Sequence, residues 1–217
     1  MEKKIHSYES DDITVEFDSK RCIHSAECVK NLPSVFNPDN KPWVTPEEAS
    51  AERIKEVVHH CPTGALKYSG TDTEEKPSRK NTITIVPDGP LYLRGDIEIQ
   101  NAEGETLLED TRVAVCRCGA SDNKPLCDNT HKDIDFEAPA GFQKAKLQPT
   151  DSGETSQGKL ILKLMDDGPI LVEGSYRVHS IANESVNSSK NVAFCRCGQS
   201  SSKPFCDGTH KEVGFEG

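Results

Sequence analysis

The stretch CRCGASDNKPLCDNTH, residues 116–131, sets three cysteines and a histidine within sixteen positions, with Gly, Pro and Asp between them. It returns as CRCGQSSSKPFCDGTH at residues 195–210. The offset is 79 residues: Cys116 maps to Cys195, Cys127 to Cys206 and His131 to His210. The match runs upstream as well. DGP at residues 88–90 recurs at 167–169, and Gly95 recurs as Gly174. Between residues 83–137 and 162–216, 21 of 55 positions are identical without a gap. A shared ligand clip would not need that upstream match, so a whole structural unit is duplicated.

Each unit opens with strand-like runs. TITIV, DGP and LYLRGDIEI in the first copy correspond to KLILKLM, DGP and ILVEGSYRV in the second. Alternation and β-branched residues predict strands, and Asp-Gly predicts a tight turn between them. RVAVC and NVAFC carry a further strand into the first cysteine of each motif. A small sheet therefore delivers the chain to each site. KDIDF and KEVGF, after the histidines, predict a short helix or turn. Polar runs at residues 69–81 and 138–159 read as linkers by their charge, Gly, Pro and Ser, with part of the second free to pack. Residues 180–190 read as a mobile hairpin loop.

Composition narrows the chemistry. Only 34% of the 217 residues are hydrophobic and 29% are charged, which is lean for one large apolar core. Small modules with thin cores need a metal or a crosslink. Nine cysteines is an odd number, so full internal disulfide pairing is excluded. The opening MEKKIHSYES has no apolar segment of a secretory signal, and no run of about 18 apolar residues predicts a membrane span. These features predict a cytoplasmic protein, in which thiols bind metal rather than each other. A net charge of −10 argues against binding a phosphate backbone. No Ser–His–Asp set, phosphate loop or nucleotide fingerprint marks a catalytic site, so the chain reads as a carrier rather than an enzyme.

The cysteines fall into three sets: Cys22, Cys28, Cys61; Cys116, Cys118, Cys127; and Cys195, Cys197, Cys206. In the last two the spacing is Cys-x-Cys-x8-Cys-x3-His. Thiolates bind zinc and iron–sulfur clusters alike, and imidazole can complete either, so both stay open on ligands alone. Gly119, Pro125, Asp128 and Asp207 suit a tight loop that wraps a larger inorganic body and aims backbone N–H groups at its sulfurs. Arg117 and Arg196 could place positive charge near such a site or face solvent.

Both stretches resemble the CDGSH iron–sulfur signature, Cys-x-Cys-x2-Ser/Thr-x3-Pro-x-Cys-Asp-Gly-Ser/Ala/Thr-His. The second reads Cys195, Cys197, Ser200, Pro204, Cys206, Asp207, Gly208, Thr209, His210. The first reads Cys116, Cys118, Ser121, Pro125, Cys127, Asp128, Asn129, Thr130, His131. Asn129 departs from the family's Gly, but Asn tolerates a left-handed backbone. The resemblance implies one 2Fe–2S cluster per motif. Cys116, Cys118, Cys127 and His131 would hold one; Cys195, Cys197, Cys206 and His210 would hold the other. Two cysteines would bind the inner iron, and the third cysteine with the histidine the outer. It also implies two β-rich units about a two-fold axis. In mitoNEET-type relatives that pair comes from two chains; here tandem copies could form it within one.

The first set lies in a segment with a strand (ITVEF), a short helix beginning at CVKNLPSVF and a stronger helix in TPEEASAERIKEVVHHC. There Thr45 could cap, Pro46 takes the first position and Glu48 closes a capping box. Ala51, Ile54, Val57 and Val58 would form its inner face. Cys22, Ser25, Cys28 and the distant Cys61–Pro62 resemble a mono-cluster ferredoxin site whose middle cysteine is replaced by Ser25. That resemblance implies a 3Fe–4S cluster on three thiolates, or a 4Fe–4S cluster with His24, Ser25 or water on the fourth iron.

The expected architecture is therefore α+β. A ferredoxin-like module over residues 1–70 precedes two duplicated CDGSH modules, residues 81–137 and 158–217, packed as an intramolecular pseudo-dimer. The expected function is electron transfer by a monomer carrying three clusters, with a redox protein as partner. Cluster delivery to an apo acceptor, redox or pH sensing, and a structural zinc protein are the alternatives. No nucleic-acid or membrane partner is expected.

Overall fold

The computed structural model describes residues 4–70, 75–150, 158–180 and 184–217. Strands outnumber helices, which are few and short, and the chain divides into two compact units, Met1–Lys76 and Pro77–Gly217. The predicted hairpin loop at 180–190 falls partly on residues 181–183, and the two linkers partly on 71–74 and 151–157. These segments lie outside the described residues.

In the first unit, β1 (Ile5–Glu9), β2 (Thr14–Asp18) and β3 (Leu66–Ser69) form an antiparallel sheet in the order β1-β2-β3. Helix α1 is Glu27–Asn31 and α2 is Ala51–Val58. The capping expectation for α2 shifts by one turn. Pro46–Glu48 forms a separate 3-10 turn, and Thr45 makes no side-chain cap. Ser50 is the cap, its Oγ accepting from the Arg53 N–H at 3.4 Å. A cap must have extended backbone, and Ser50 has it (φ −66°, ψ 150°). The inner face is as the periodicity requires: Ile54, Val57 and Val58 are fully buried against Val15, Val35, Phe36, Val44 and Leu66. Burying such a side chain contributes roughly 1.5–3 kcal/mol. Trp43 packs edge-on against Phe17, with ring centroids 4.8 Å apart.

In the second unit, eight strands form one sheet. The first copy contributes β4 (Thr82–Ile85), β5 (Leu91–Gln100) and β6 (Thr106–Val115). Helix α3 (Lys144–Leu147) precedes the second copy, which contributes β7 (Leu160–Leu164), β8 (Ile170–Glu173), β9 (Tyr176–Ser180), β10 (Ser185–Ser188) and β11 (Val192–Phe194). The order is β10-β9-β4-β5-β7-β8-β11, with β6 on β5. The single strand β5 of the first copy thus corresponds to β8 and β9, and β6 to β10 and β11.

Two parallel pairings cross between the copies. Thr82 pairs with Arg177 and Ile83 with Val178, joining β4 to β9. Glu98 pairs with Ile161 and Ile99 with Leu162, joining β5 to β7. Under the 79-residue offset Thr82 becomes Ile161 and Arg177 becomes Glu98, so one pairing is the other with the copies exchanged. A single core follows, in which Ile83, Leu93, Ile97, Ile99 and Val113 meet Leu160, Leu162, Val172, Val178 and Phe194. Neither copy closes this core without the other's strand, and this is why residues 81–137 and 158–217 lie in one compact unit.

Asn81, at the edge of the presumed linker, is a buried hub instead. Its Nδ2 donates to the carbonyls of Gly158 (3.0 Å) and Ser175 (3.1 Å), and its Oδ1 accepts from the Asp96 N–H (3.1 Å). It ties the bend of β5 to the second copy. The other linker packs in part: Ala138 and Leu147 are buried, and Ala140 and Phe142 lie against the core.

Candidate metal centres

The turn after β4 sets the site. Gly89 N–H donates to the Val86 carbonyl, and Gly168 N–H to that of Met165. The left-handed residue is Asp88 (φ 48°) or Asp167 (φ 44°) rather than the glycine. In the first copy Pro87 precedes it, the arrangement of a type II turn. Arg117 reaches back to this turn: Nε donates to the Gly89 carbonyl (2.7 Å) and Nη2 to that of Val86 (2.5 Å). Arg196 repeats both bonds on Gly168 (2.9 Å) and Met165 (2.8 Å). Both arginines are buried, so they are not solvated side chains; they lock the cysteine loop to the sheet.

The loop residues of the motif have assigned work. Ser121 Oγ donates to the Leu126 carbonyl (2.7 Å) and accepts from the Asn123 N–H (3.1 Å). Ser200 does the same with Phe205 and Ser202. Asp128 accepts from the Asp122 N–H (2.7 Å), the Thr130 N–H (3.0 Å) and the Thr130 hydroxyl (2.7 Å). Asp207 accepts four such bonds, two from Ser201 and two from Thr209. Burial pushes the Asp128 carboxyl up, but the bonds from Thr130 and Asp122 outweigh it and leave it low. At Asp207 the Thr209 and Ser201 hydroxyls lead, and the carboxyl is again held low. These acids clamp the loop as anions. Asn129 (φ 84°) takes the left-handed position of Gly208 (φ 97°), as the substitution allows. Each is followed by a 3-10 turn, Thr130–Lys132 or Thr209–Lys211, that presents the histidine.

The four candidate ligands of each motif stand in two pairs. Cys116 Sγ lies 3.5 Å from Cys118 Sγ, and Cys127 Sγ lies 3.4 Å from His131 Nδ1. In the second motif the distances are 3.8 Å for Cys195–Cys197 and 3.4 Å for Cys206–His210. Among the described residues no three His, Cys, Asp or Glu side chains converge as a single-ion site. Backbone N–H groups aim at the sulfurs. Asn129 donates to Cys127 and Gly208 to Cys206, both at 3.4 Å. The hydrogen bond with the Cys118 thiol lowers Cys116; burial opposes this, and the N–H groups of Ser121, Gly119 and Cys118 assist it. Cys118, the proton donor of that pair, is correspondingly raised. Burial pushes Cys127 up to about 12 and also raises Cys195 and Cys206. Raised pKa values keep these thiols protonated in the metal-free chain, so a bound metal would have to displace their protons.

Cys22, Cys28 and Cys61 line one cavity of about 630 Å³ in the first unit, with His24, Ser25, Phe17, Trp43 and Thr63 among its other walls. The loop between the first two cysteines carries left-handed residues at His24 (φ 54°) and Ala26 (φ 61°), curling it around the cavity. Buried Arg21 holds one wall residue from behind: its Nη2 donates to the Thr63 carbonyl (2.5 Å), two residues past Cys61. Neither Arg21 nor Thr63 carried a sequence signal. Burial pushes Cys28 up to about 11, and nearby Cys61 and Cys22 add to it. Cys22 is raised as well, first by burial. His59 lies away from this cavity's lining, its Nε2 3.1 Å from the Tyr68 hydroxyl.

Known protein families match both parts of the chain. Residues 8–71 match the model "Divergent 4Fe-4S mono-cluster". Residues 88–132 and 167–211 each match "Iron-binding zinc finger CDGSH type". The chain joins a divergent mono-cluster domain to two tandem CDGSH domains. The mono-cluster domain is also similar to the uncharacterized protein YjdI of Escherichia coli strain K12, and to its counterpart in Escherichia coli O157:H7. Each is 39% identical over 61 residues, covering 28% of this chain and 80% of the relative. No solved structure gives a significant match. The CDGSH and mono-cluster domains are iron–sulfur binding domains, and the chain is an iron–sulfur protein. No helix among the described residues is long and apolar enough to cross a membrane.

Proposed function

We propose that the protein is an electron carrier with three clusters. One 2Fe–2S cluster would be held by Cys116, Cys118, Cys127 and His131, and one by Cys195, Cys197, Cys206 and His210. A 3Fe–4S or 4Fe–4S cluster would be held by Cys22, Cys28 and Cys61. The observation that carries this reading is the pairing of donors: two pairs per motif, each at 3.4–3.8 Å, match one pair per iron. Four ligands on a single zinc would converge on one point. The donor set also fits chemically, with soft thiolates and an imidazole whose Nδ1 faces the neighbouring sulfur.

When bound, such clusters supply one-electron chemistry, at a potential raised by the neutral imidazole relative to four thiolates. The chain does the rest. The Asp128 and Asp207 clamps fix the loops, backbone N–H groups stabilise charge on the sulfurs, and Arg117 and Arg196 seat the loops on a rigid sheet. The exchanged pairings of β4 and β5 support a pseudo-dimer within one chain, with a ferredoxin-like module before it. A redox protein is the expected partner, in the cytoplasm, and no substrate chemistry is assigned to the chain. A second reading, cluster delivery to an apo acceptor or redox sensing, draws on the second motif, where Cys206 and His210 are partly exposed.

Native mass spectrometry of anaerobically purified protein tests the proposal, followed by a redox titration. The expected result is two 2Fe–2S clusters, one 3Fe–4S or 4Fe–4S cluster, and reversible reduction. Zinc-sized increments from cells supplied with iron and sulfide would overturn it. Fast handover to an apo-ferredoxin without reversible reduction would favour the second reading.

A further inference from the structure

Among the described residues four large hydrophobic side chains are about half exposed: Ile5, Leu107, Ile134 and Val213. Single exposed residues of this kind need no explanation. Ile134 and Val213, however, are one position under the 79-residue offset, three residues past His131 and His210. Both copies therefore expose an apolar side chain at the same place beside a candidate metal centre.

The backbone holds both in place. The Ile134 N–H donates to the Thr130 carbonyl (3.3 Å) and the Val213 N–H to that of Thr209 (3.1 Å). Two residues on, the Phe136 and Phe215 N–H groups donate to the His131 (3.0 Å) and His210 (3.1 Å) carbonyls. Their rings stack on the arginines, 5.8 Å from Arg117 Cζ and 5.2 Å from Arg196 Cζ. In a turn this tight, residues three apart eclipse, so Ile134 stands on the same side as His131, and Val213 on that of His210. The two motif loops also meet at the backbone. A β-carbon on Gly119 would stand 2.6 Å from the Cys197 carbonyl oxygen, and one on Gly198 would stand 2.7 Å from the Cys118 carbonyl carbon. The contact is reciprocal, as a two-fold demands. Both apolar faces thus belong to one body, with little left to order when a partner arrives.

The surroundings are acidic. Exposed Asp133, Asp135 and Glu137 flank Ile134, and exposed Glu212 and Glu216 flank Val213. Each run carries one lysine, Lys132 or Lys211. We infer that Ile134 and Val213 are the anchors of two equivalent docking faces for a basic protein, one that offers an apolar spot ringed by Lys or Arg. This rests on the electron-carrier reading above and names the chemistry of its partner. An apolar centre with a polar rim is the anatomy of a protein interface. The carboxylates choose the sign of the partner and speed its approach. A second copy of this chain, with its own net charge of −10, would be repelled.

Cytochrome c, a basic haem protein, is the probe. Reduced holoprotein is mixed with ferric cytochrome c by stopped flow. One electron leaves a cluster and converts the haem iron from ferric to ferrous. I134S/V213S is expected to lower the second-order rate constant about tenfold. L107S should leave it unchanged, since Leu107 stands about 27 Å along β6 from Val115, the residue before Cys116. The rate should fall on the order of tenfold between low and high salt. D133K/E212K, at equivalent positions, should slow the reaction at low salt only. Oxidation by benzoquinone, small and uncharged, should keep its rate in every variant. An unchanged rate in I134S/V213S, an equal loss in L107S, a loss shared with benzoquinone or a rate indifferent to salt would overturn the inference. So would a dimer of the unsubstituted protein that I134S/V213S dissociates in sedimentation equilibrium, because the faces would then serve a second copy. Absence of reversible reduction, read by redox titration before cytochrome c is added, is instead the failure of the electron-carrier reading.

Discussion

Replacing Gly119 with Ala puts the meeting of the two CDGSH loops to a direct test. The new β-carbon would lie 2.6 Å from the Cys197 carbonyl oxygen and 2.8 Å from its carbonyl carbon. Ordinary contact begins near 3.4 Å, so the loops must part by about 0.8 Å. The obstacle is backbone beside a candidate ligand, not the end of a flexible side chain. Forcing a packed interior apart costs about 1–3 kcal/mol. Gly119 also has φ 82°, and an L side chain there adds about 1 kcal/mol. The total is about 2–4 kcal/mol, or roughly 4–16 °C in Tm at about 2–4 °C per kcal/mol. G198A should lose a similar amount, because the contact is reciprocal. G158A supplies the control: Gly158 has φ 108° but nothing within 4 Å of its β-carbon, so only the conformational part, about 1 kcal/mol, is expected. The assay is thermal unfolding of the anaerobic holoprotein, followed by circular dichroism and cluster absorbance together. A loss in G119A no larger than in G158A would refute the backbone contact and the reasoning built on it.

Further outcomes follow from the same structure. Asn81→Ala should destabilise the second unit by about 3 kcal/mol, about 1 kcal/mol for each of the three side-chain hydrogen bonds described above; urea unfolding at constant slope checks this. His179 is held below its usual range, first by burial and then by the nearby Arg177 charge. The unfolded chain therefore takes up this proton first. The His179 contribution is complete above about pH 6.5 and is lost as the pH falls below it, which the pH dependence of the urea midpoint reads out. Glu98 is lowered to about 2 by hydrogen bonds from Lys159, Thr106 and Gln100, so its contribution is lost lower, as pH falls from 4.5 towards 2. Ser25→Cys should place a fourth thiolate on the cavity that holds Cys22, Cys28 and Cys61. Native mass spectrometry should then find a 4Fe–4S cluster that survives air longer than in the unsubstituted protein.

The residue order on its own singled out the candidate donors, because metal chemistry depends on side-chain type and short-range spacing, and both are written in the chain. The 79-residue offset showed duplication, and the alternation in TITIV and RVAVC marked strands whose register follows from which face is apolar. Ser25 could be recognised as the gap in the first cysteine set. What lay beyond this reading was long-range. Asn81 looked like the edge of a linker, since nothing local says its amide will bridge to Gly158 and Ser175, some 77 and 94 residues away. Arg117 and Arg196 could not be told from solvated arginines, because their partners are carbonyls 28 and 31 residues upstream. Arg21 was missed for the same reason. Only the tertiary structure decided that β4 of one copy pairs with β9 of the other, and β5 with β7. Strand exchange is settled by which backbone edges meet after the chain has collapsed, and a duplicated sequence offers each strand two equivalent sets of partners.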